Sequence, residues 1–256
     1  MGNQLLKNEI EELSNYRFIS EHEQSNLPLS IRLDQLLDND TLFTFIQDVT
    51  KHIGSPNVKV TASMFSKRYA FLTAIYLYSM TAFNKRFNTS LEKIYLQTND
   101  EDKIWLPTFY FSDLTVELSG QDREEWRREG IQSFFSNVIS PVISEITKVT
   151  KQSKLILWEN IAIYIFWLYE TVLAEHENED VRKRAKEDLH FLVQEAPGSL
   201  FGKFHENPIK RHYHEKRYVE HLDEVVRVRT TCCFFYQITE TSERCKICPQ
   251  TCNRKK

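Results

Sequence analysis

All five cysteines of this 256-residue chain fall within its last 25 residues, as Cys232-Cys233, then Cys245-Lys246-Ile247-Cys248, then Cys252. A cysteine-free body with a thiol-rich end points to a soft-metal site rather than to scattered core packing. The Cys245-x2-Cys248 turn brings two thiolates to a common metal, and Pro249 fixes the exit of that turn. The adjacent pair Cys232-Cys233 is more discriminating. Neighbours in an extended strand point to opposite faces, so both can serve as ligands only across a local bend. Structural zinc sites usually separate paired ligands by two to four residues. An iron–sulfur cluster has a wider ligand perimeter, takes cysteine thiolates, and accepts an adjacent pair. On spacing alone three readings stay open: an iron–sulfur cluster, a zinc-stabilised interaction module whose basic tail binds a partner, and a reversible thiol switch at Cys245 and Cys248.

Basic residues crowd the approach to the cysteines. Lys210-Arg211-His212-Tyr213-His214-Glu215-Lys216-Arg217 lies upstream, Arg227 and Arg229 lead into the pair, Arg244 adjoins Cys245, and Arg254-Lys-Lys closes the chain. Positive charge there would attract an anionic molecule and ease reduction of a bound metal. Arg227, Arg229, Arg211 and Lys216 are therefore the candidate substrate contacts. In a strand Arg227 and Arg229 share one face beside the ligands; the competing roles are pairing with Asp223 and Glu224, or a solvated charged surface. His212 and His214 have a spacing that suits a metal on a strand, against the plainer reading of a surface pair. No catalytic triad, P-loop or dinucleotide fingerprint is visible.

The elements that must hold this end are mostly helical. Hydrophobic residues make up 41% and charged residues 27%, with only 6 glycines and 7 prolines, a composition that favours helix in a globular chain. The net charge of -3 gives no general reason to expect nucleic acid. The first residues lack a charged and apolar leader, and Leu6 stands where a myristoylation signal needs Ser or Thr, so a reducing cytoplasm is expected. The longest apolar stretch, Ile161 to Tyr169, falls short of the roughly 20 residues that span a bilayer, which points to a buried helix. Periodicity and capping predict helices over 5–13, 40–52 with Asp40 as cap, 60–85, 123–151 kinked or divided at Pro141, 153–174 with Ser153 as cap, and 180–194. The aromatic stripe Phe65, Tyr69, Tyr76 and Phe83 in the third of these reads as core. Strands are predicted at 91–98 and 103–111 around a turn at 99–102, with Pro107 placing the second at an edge or bulge. Residues 225–238 also read as β-type sequence. The expected fold is α+β: a predominantly helical body with a small antiparallel sheet and a C-terminal cysteine-rich module. The expected divisions are an N-terminal helical segment (1–57), a substrate-holding body (58–225) and the cysteine module (226–256).

Arg229-Thr-Thr-Cys232-Cys233, an aromatic run, and Cys245-x2-Cys248-Pro249 together resemble the C-terminal signature of FhuF-like siderophore-iron reductases. Leu157-Trp158-Glu159-Asn160 and Phe65-Ser66-Lys67-Arg68-Tyr69-Ala70 are similar to further segments of that family, so the resemblance covers about residues 60–256. It implies a [2Fe–2S] cluster on Cys232, Cys233, Cys245 and Cys248, and one-electron reduction of a ferric siderophore by a cluster that an unidentified donor recharges. The gap between the cysteine pairs is eleven residues here against about ten in the family, and Cys252 is extra to the motif. The body also resembles the end of ATP-dependent siderophore synthetases, but the chain is much shorter and shows no phosphate-binding glycine loop.

Overall fold

The computed structural model describes residues 4–21, 29–98 and 105–253. The expected turn at 99–102 and the basic end at 254–256 lie outside the described residues. The helices are α1 (Lys7–Ser14), α2 (Asn39–His52), α3 (Val58–Phe83), α4 (Arg123–Phe134), α5 (Ser140–Thr150), α6 (Lys154–Trp167), α7 (Glu179–His190) and a final turn, α8 (Pro249–Cys252). The strands are β1 (Phe18–Ile19), β2 (Ile31–Arg32), β3 (Lys85–Phe87), β4 (Ile94–Gln97), β5 (Thr108–Phe111), β6 (Val116–Leu118), β7 (Arg217–Val219) and β8 (Glu224–Val226). The predominantly helical α+β expectation holds.

α3 organises the body. The side chain of Asn57 accepts hydrogen bonds from the Lys59 and Val60 backbone N–H groups and starts the helix. Apolar residues then surround almost its whole circumference, the pattern of a helix buried on all sides. Its aromatic stripe is core, as the periodicity predicts: Phe65 stacks on Tyr69, and Tyr76 lies flat on Phe134 at 4.0 Å between ring centroids. α6 packs along α3, while α2, α5 and α7 close other sides. Pro141 falls where the helical run changes form, α4 passing into α5 without leaving helical backbone. A π-turn at Phe135–Ile139 directly precedes it, widening the backbone where the proline ring cannot share a normal helical hydrogen bond.

The cap of α2 is Asp38 rather than Asp40, its side chain accepting from the Thr41 N–H. Ser153 caps α6 as expected. That helix continues through a π-turn and a 3₁₀ turn to Glu175, giving 22 residues long and apolar enough to cross a membrane by composition, longer than the apolar run suggests. More than half of its most apolar window is buried inside the protein, against α3 above all.

The main sheet has the order β1-β5-β4-β2, antiparallel except for the parallel β1–β5 pair (Phe18 opposite Phe109). Pro107 does not sit at an edge. It precedes β5, a central strand that begins one residue later, where a ladder N–H is again available. The β-type reading of 225–238 holds only for β8, which pairs with β7. Beyond Val226 the chain is irregular apart from a 3₁₀ turn at Phe235–Gln237, because its backbone donors go to a carboxylate on α6 instead of to a neighbouring strand. One continuous core runs from Leu5 to Cys233 and takes in side chains from all three expected divisions.

Since Asn57 satisfies two otherwise orphaned N–H groups of α3, Asn57→Ala is expected to cost about 1 kcal/mol. Urea unfolding should show a lower midpoint with an unchanged slope.

Candidate metal centre

The site is held by two neighbouring polar residues in the apolar α6. Glu159 and Asn160 are both buried. One oxygen of the Glu159 carboxylate accepts the Thr230 N–H at 2.6 Å and the Thr230 hydroxyl at 2.8 Å. The other accepts the Thr231 N–H at 2.9 Å, the Thr231 hydroxyl, and the Arg229 guanidinium at 3.4 Å. His212 Nδ1 stands 3.5 Å from the first oxygen. Burial alone would raise the pKa of Glu159. The His212 contact, the Arg229 charge and the Thr230 and Thr231 donors outweigh burial and hold it at about 2, below its usual 4.5. Asn160 works in both directions. Its Oδ1 accepts from Arg229 at 2.7 Å, and its Nδ2 donates to the Ser63 carbonyl and the Ser66 hydroxyl on α3. The Ser63 hydroxyl in turn donates to the Cys233 carbonyl at 2.8 Å.

This network forces the bend that adjacent cysteine ligands require. The chain turns through Cys232 and Cys233 into Phe234, whose φ of 61° is left-handed. The Arg229 N–H donates to the Ile247 carbonyl and ties this segment to the second pair, while the Cys248 N–H closes its own turn on the Cys245 carbonyl. Cys233 is 1% exposed and its sulfur lies 3.8 Å from that of Cys245. Two ligands of one tetrahedral metal, at about 2.3 Å each, are about 3.8 Å apart. Cys232 lies within hydrogen-bonding reach of Cys248. The four thiols thus form two pairs, and among the described residues no group of three or more His, Cys, Asp or Glu side chains converges on one ion position.

Cations surround the sulfurs. Lys67 of α3 lies 4.7 Å above the Phe235 ring, and the charged groups acting most strongly on it are the Cys233 and Cys245 sulfurs with Arg68 and Arg229. Burial pushes its pKa down, and the sulfurs pull the other way. Arg244 reaches to 3.9 Å from the Cys232 sulfur while stacking on Tyr236. The Cys233 thiol is held well below its usual range, first by a hydrogen bond from Cys245 and then by Lys67 and Arg229; burial raises Cys232. Cys252 sits apart, in a small cluster with Val219 and Val228, its thiol donating to the Lys246 carbonyl.

The expected substrate contacts separate. Arg229 is 5% exposed and committed to Glu159, Asn160 and the Thr231 carbonyl, which makes it a positioning group for the cysteine turn. Arg227 pairs with Glu170 instead of Asp223 or Glu224 and lies over the Tyr213 ring at 4.1 Å. Lys216 meets the same Glu170 at 2.9 Å. Lys216 and Arg227 together line a cavity of about 220 Å³ that reaches Ile247 in the Cys-x2-Cys turn. Arg211 lines another cavity, beside Trp158. Of the two histidines, His212 is buried in the network and His214 is exposed. Trp158 is core, packed with Phe135, Phe201 and Phe204. Glu159, Ser63 and the cation Lys67 were not among the expected site residues; the legible signal was an acid and an amide side by side within an apolar helix.

A model of the family described as "Ferric iron reductase FhuF-like transporter" matches residues 63–241, more than half of the chain. The matched stretch contains Cys232 and Cys233 and ends before Cys245. No curated protein matches the chain.

Replacing Glu159 by Gln leaves buried donors facing an amide, and breaking such a network is expected to cost about 3 kcal/mol or more. The depressed pKa stabilises the fold above the unfolded value of 4.5, and that contribution fades as pH falls from there toward about 2. Urea unfolding at pH 7 and pH 3 should therefore show a larger gap for the parent chain than for Glu159→Gln.

Proposed function

Because the chain belongs to the FhuF-like ferric iron reductase family, we propose that it reduces ferric siderophores with a [2Fe–2S] cluster held by Cys232, Cys233, Cys245 and Cys248. The observation that carries this reading is the approach of the two cysteine motifs, with a sulfur–sulfur distance of 3.8 Å between Cys233 and Cys245. Each iron of a two-iron cluster takes two cysteine thiolates. When bound, the cluster supplies one electron to Fe(III) in the chelate, giving Fe(II), and a separate one-electron donor restores it. Siderophore oxygen donors hold the larger, less charged Fe(II) more weakly, so the metal is released without bond cleavage in the ligand.

The chain's own residues shape this step. Lys67, Arg229 and Arg244 place positive charge beside the sulfurs, which stabilises the more negative, reduced form of a thiolate-bound centre. Phe235 and Tyr236 lie beneath two of these cations. Arg227 and Lys216, gathered at Glu170 next to the Cys-x2-Cys turn, are the contacts assigned to an anionic chelate. Arg211 lies at a separate cavity, and Arg229 acts on the chelate only through the cysteine turn. Thiols kept free for metal are in keeping with a reducing, cytoplasmic setting.

The purified protein should be reddish-brown and should bleach on reduction; a colourless protein with one zinc per chain overturns the reading. Serine at Cys232, Cys233, Cys245 or Cys248 should abolish the colour, whereas Cys252→Ser should retain it. Lys67→Met should keep the cluster absorption, shift its midpoint potential to more negative values, and lower the reduced-to-oxidised ratio of the cluster in a fixed redox buffer by about tenfold. Lys67→Arg should restore most of that loss.

A further inference from the structure

Arg68, Arg127 and Arg229 are the arginines among the described residues that are nine-tenths buried or more. Arg127 meets Asp188 and Arg229 meets Glu159, the pairing that a buried charge requires. Arg68, on α3, has no carboxylate within ion-pair range among the described residues. Its Nε donates to the Trp105 carbonyl at 3.3 Å. Nη1 and Nη2 have no hydrogen-bond partner there, yet neither is among the orphaned polar atoms that the fold seals from solvent. An incoming group can therefore reach both. Buried polar groups in folded proteins are almost always paired, so this half-satisfied guanidinium calls for an acceptor.

The carbonyl that holds Arg68 is itself fixed. Trp105 is buried, its indole Nε1 donates to the Thr98 hydroxyl at 3.1 Å, and its φ of 50° is left-handed for a residue with a side chain. With Nε committed, the remaining two-pronged edge of the guanidinium is the Nη1–Nη2 fork. That edge matches the two oxygens of a carboxylate.

The preceding residue links this fork to the cysteines. The Lys67 ammonium lies over Phe235, acts on the Cys233 and Cys245 sulfurs and on Arg68 alike, and is likewise not sealed from solvent. Here α3 packs against the Phe235–Gln237 turn that follows the cysteine pair. The other cations near the centre differ from Arg68: Arg229 is committed to Glu159, and Arg227 and Lys216 share Glu170. A carboxylate arriving at Arg68 has no acid of the described residues to displace.

We propose that Arg68 anchors a carboxylate of the ferric chelate, its Nη1 and Nη2 taking the two oxygens while Lys67 adds its charge beside the cysteines. This rests on the reductase reading and deepens it, by assigning the group that holds the chelate and the chelate class it selects, one with a free carboxylate.

The test uses gallium(III) citrate, a redox-inert anionic chelate, in equilibrium dialysis against the full chain with gallium counted by mass spectrometry. Saturable binding is expected. Arg68→Gln keeps a donor for the Trp105 carbonyl and removes the fork, and should weaken binding about tenfold. Arg68→Lys keeps the buried charge without the fork and should recover only part of the affinity; it decides the matter if the glutamine variant fails to fold in urea-unfolding curves. With ferric citrate as substrate, both variants should raise KM while kcat and the cluster potential stay at parent values. The gallium complex of desferrioxamine B, cationic and without a free carboxylate, should bind parent and variants equally. Absence of saturable citrate-complex binding overturns the proposal, as does parent affinity in Arg68→Lys or an equal loss for both gallium complexes. Arg68-dependent binding of gallium citrate without reduction of the ferric complex would overturn the reductase reading and leave the site standing. Reduction at parent KM in the Arg68 variants would do the reverse.

Discussion

A buried carboxylate is expensive unless its lone pairs are filled, with an effective penalty of several kcal/mol. Glu159 meets that demand with backbone and hydroxyl donors from two successive threonines, an arginine and a histidine. The requirement is geometric as well as energetic. Both threonine N–H groups must point at α6, so the segment cannot pair as a strand, and the cysteines that follow inherit the resulting bend. Asn160 extends the same demand to α3 through Ser63 and Ser66. The relative placement of α3, α6 and the cysteine turn is therefore one problem with one solution.

The electrostatics of the site follow from that placement. α3 presents Lys67 to the sulfurs with no carboxylate within ion-pair range among the described residues, an arrangement that costs desolvation and is favoured by the sulfurs' negative charge. Arg229 divides its donors between the acid and amide of α6 and the turn backbone, so it acts both as a strut and as a source of field. Arg227, two residues earlier, goes outward to Glu170, eleven residues further along α6 and its continuation. Two arginines in one short segment thus find two acids on one long helix.

That divergence marks the limit of what was legible beforehand. Helix starts were readable where a side chain caps them, as Ser153 does, because capping is local chemistry; at α2 the local rule misplaced the cap by two residues. The aromatic stripe of α3 was readable because its period equals the helix period. The run 225–238 misled, since its valines and aromatics have strand character while its backbone donors are claimed by a residue some 70 positions earlier. Pro107 misled for a smaller reason: it stands just before a central strand rather than within one. The cysteine cluster announced itself by crowding. Which cations face it did not, because Lys67 arrives through the packing of α3, and neighbouring arginines that share a face in a strand part company once the strand is lost.

The hydrogen bond from Ser63 to Cys233 joins residues 170 positions apart in the chain. Contacts of such separation carry a large loop-closure cost and form only after the intervening segments are ordered. The cysteines are also made after the helical body that precedes them in the chain. The helical body therefore has the means to organise before its thiols arrive, and the cysteine segment docks onto a preformed acid and serine. Docking of the thiols becomes a late step of folding, timed by the order in which the polypeptide is made.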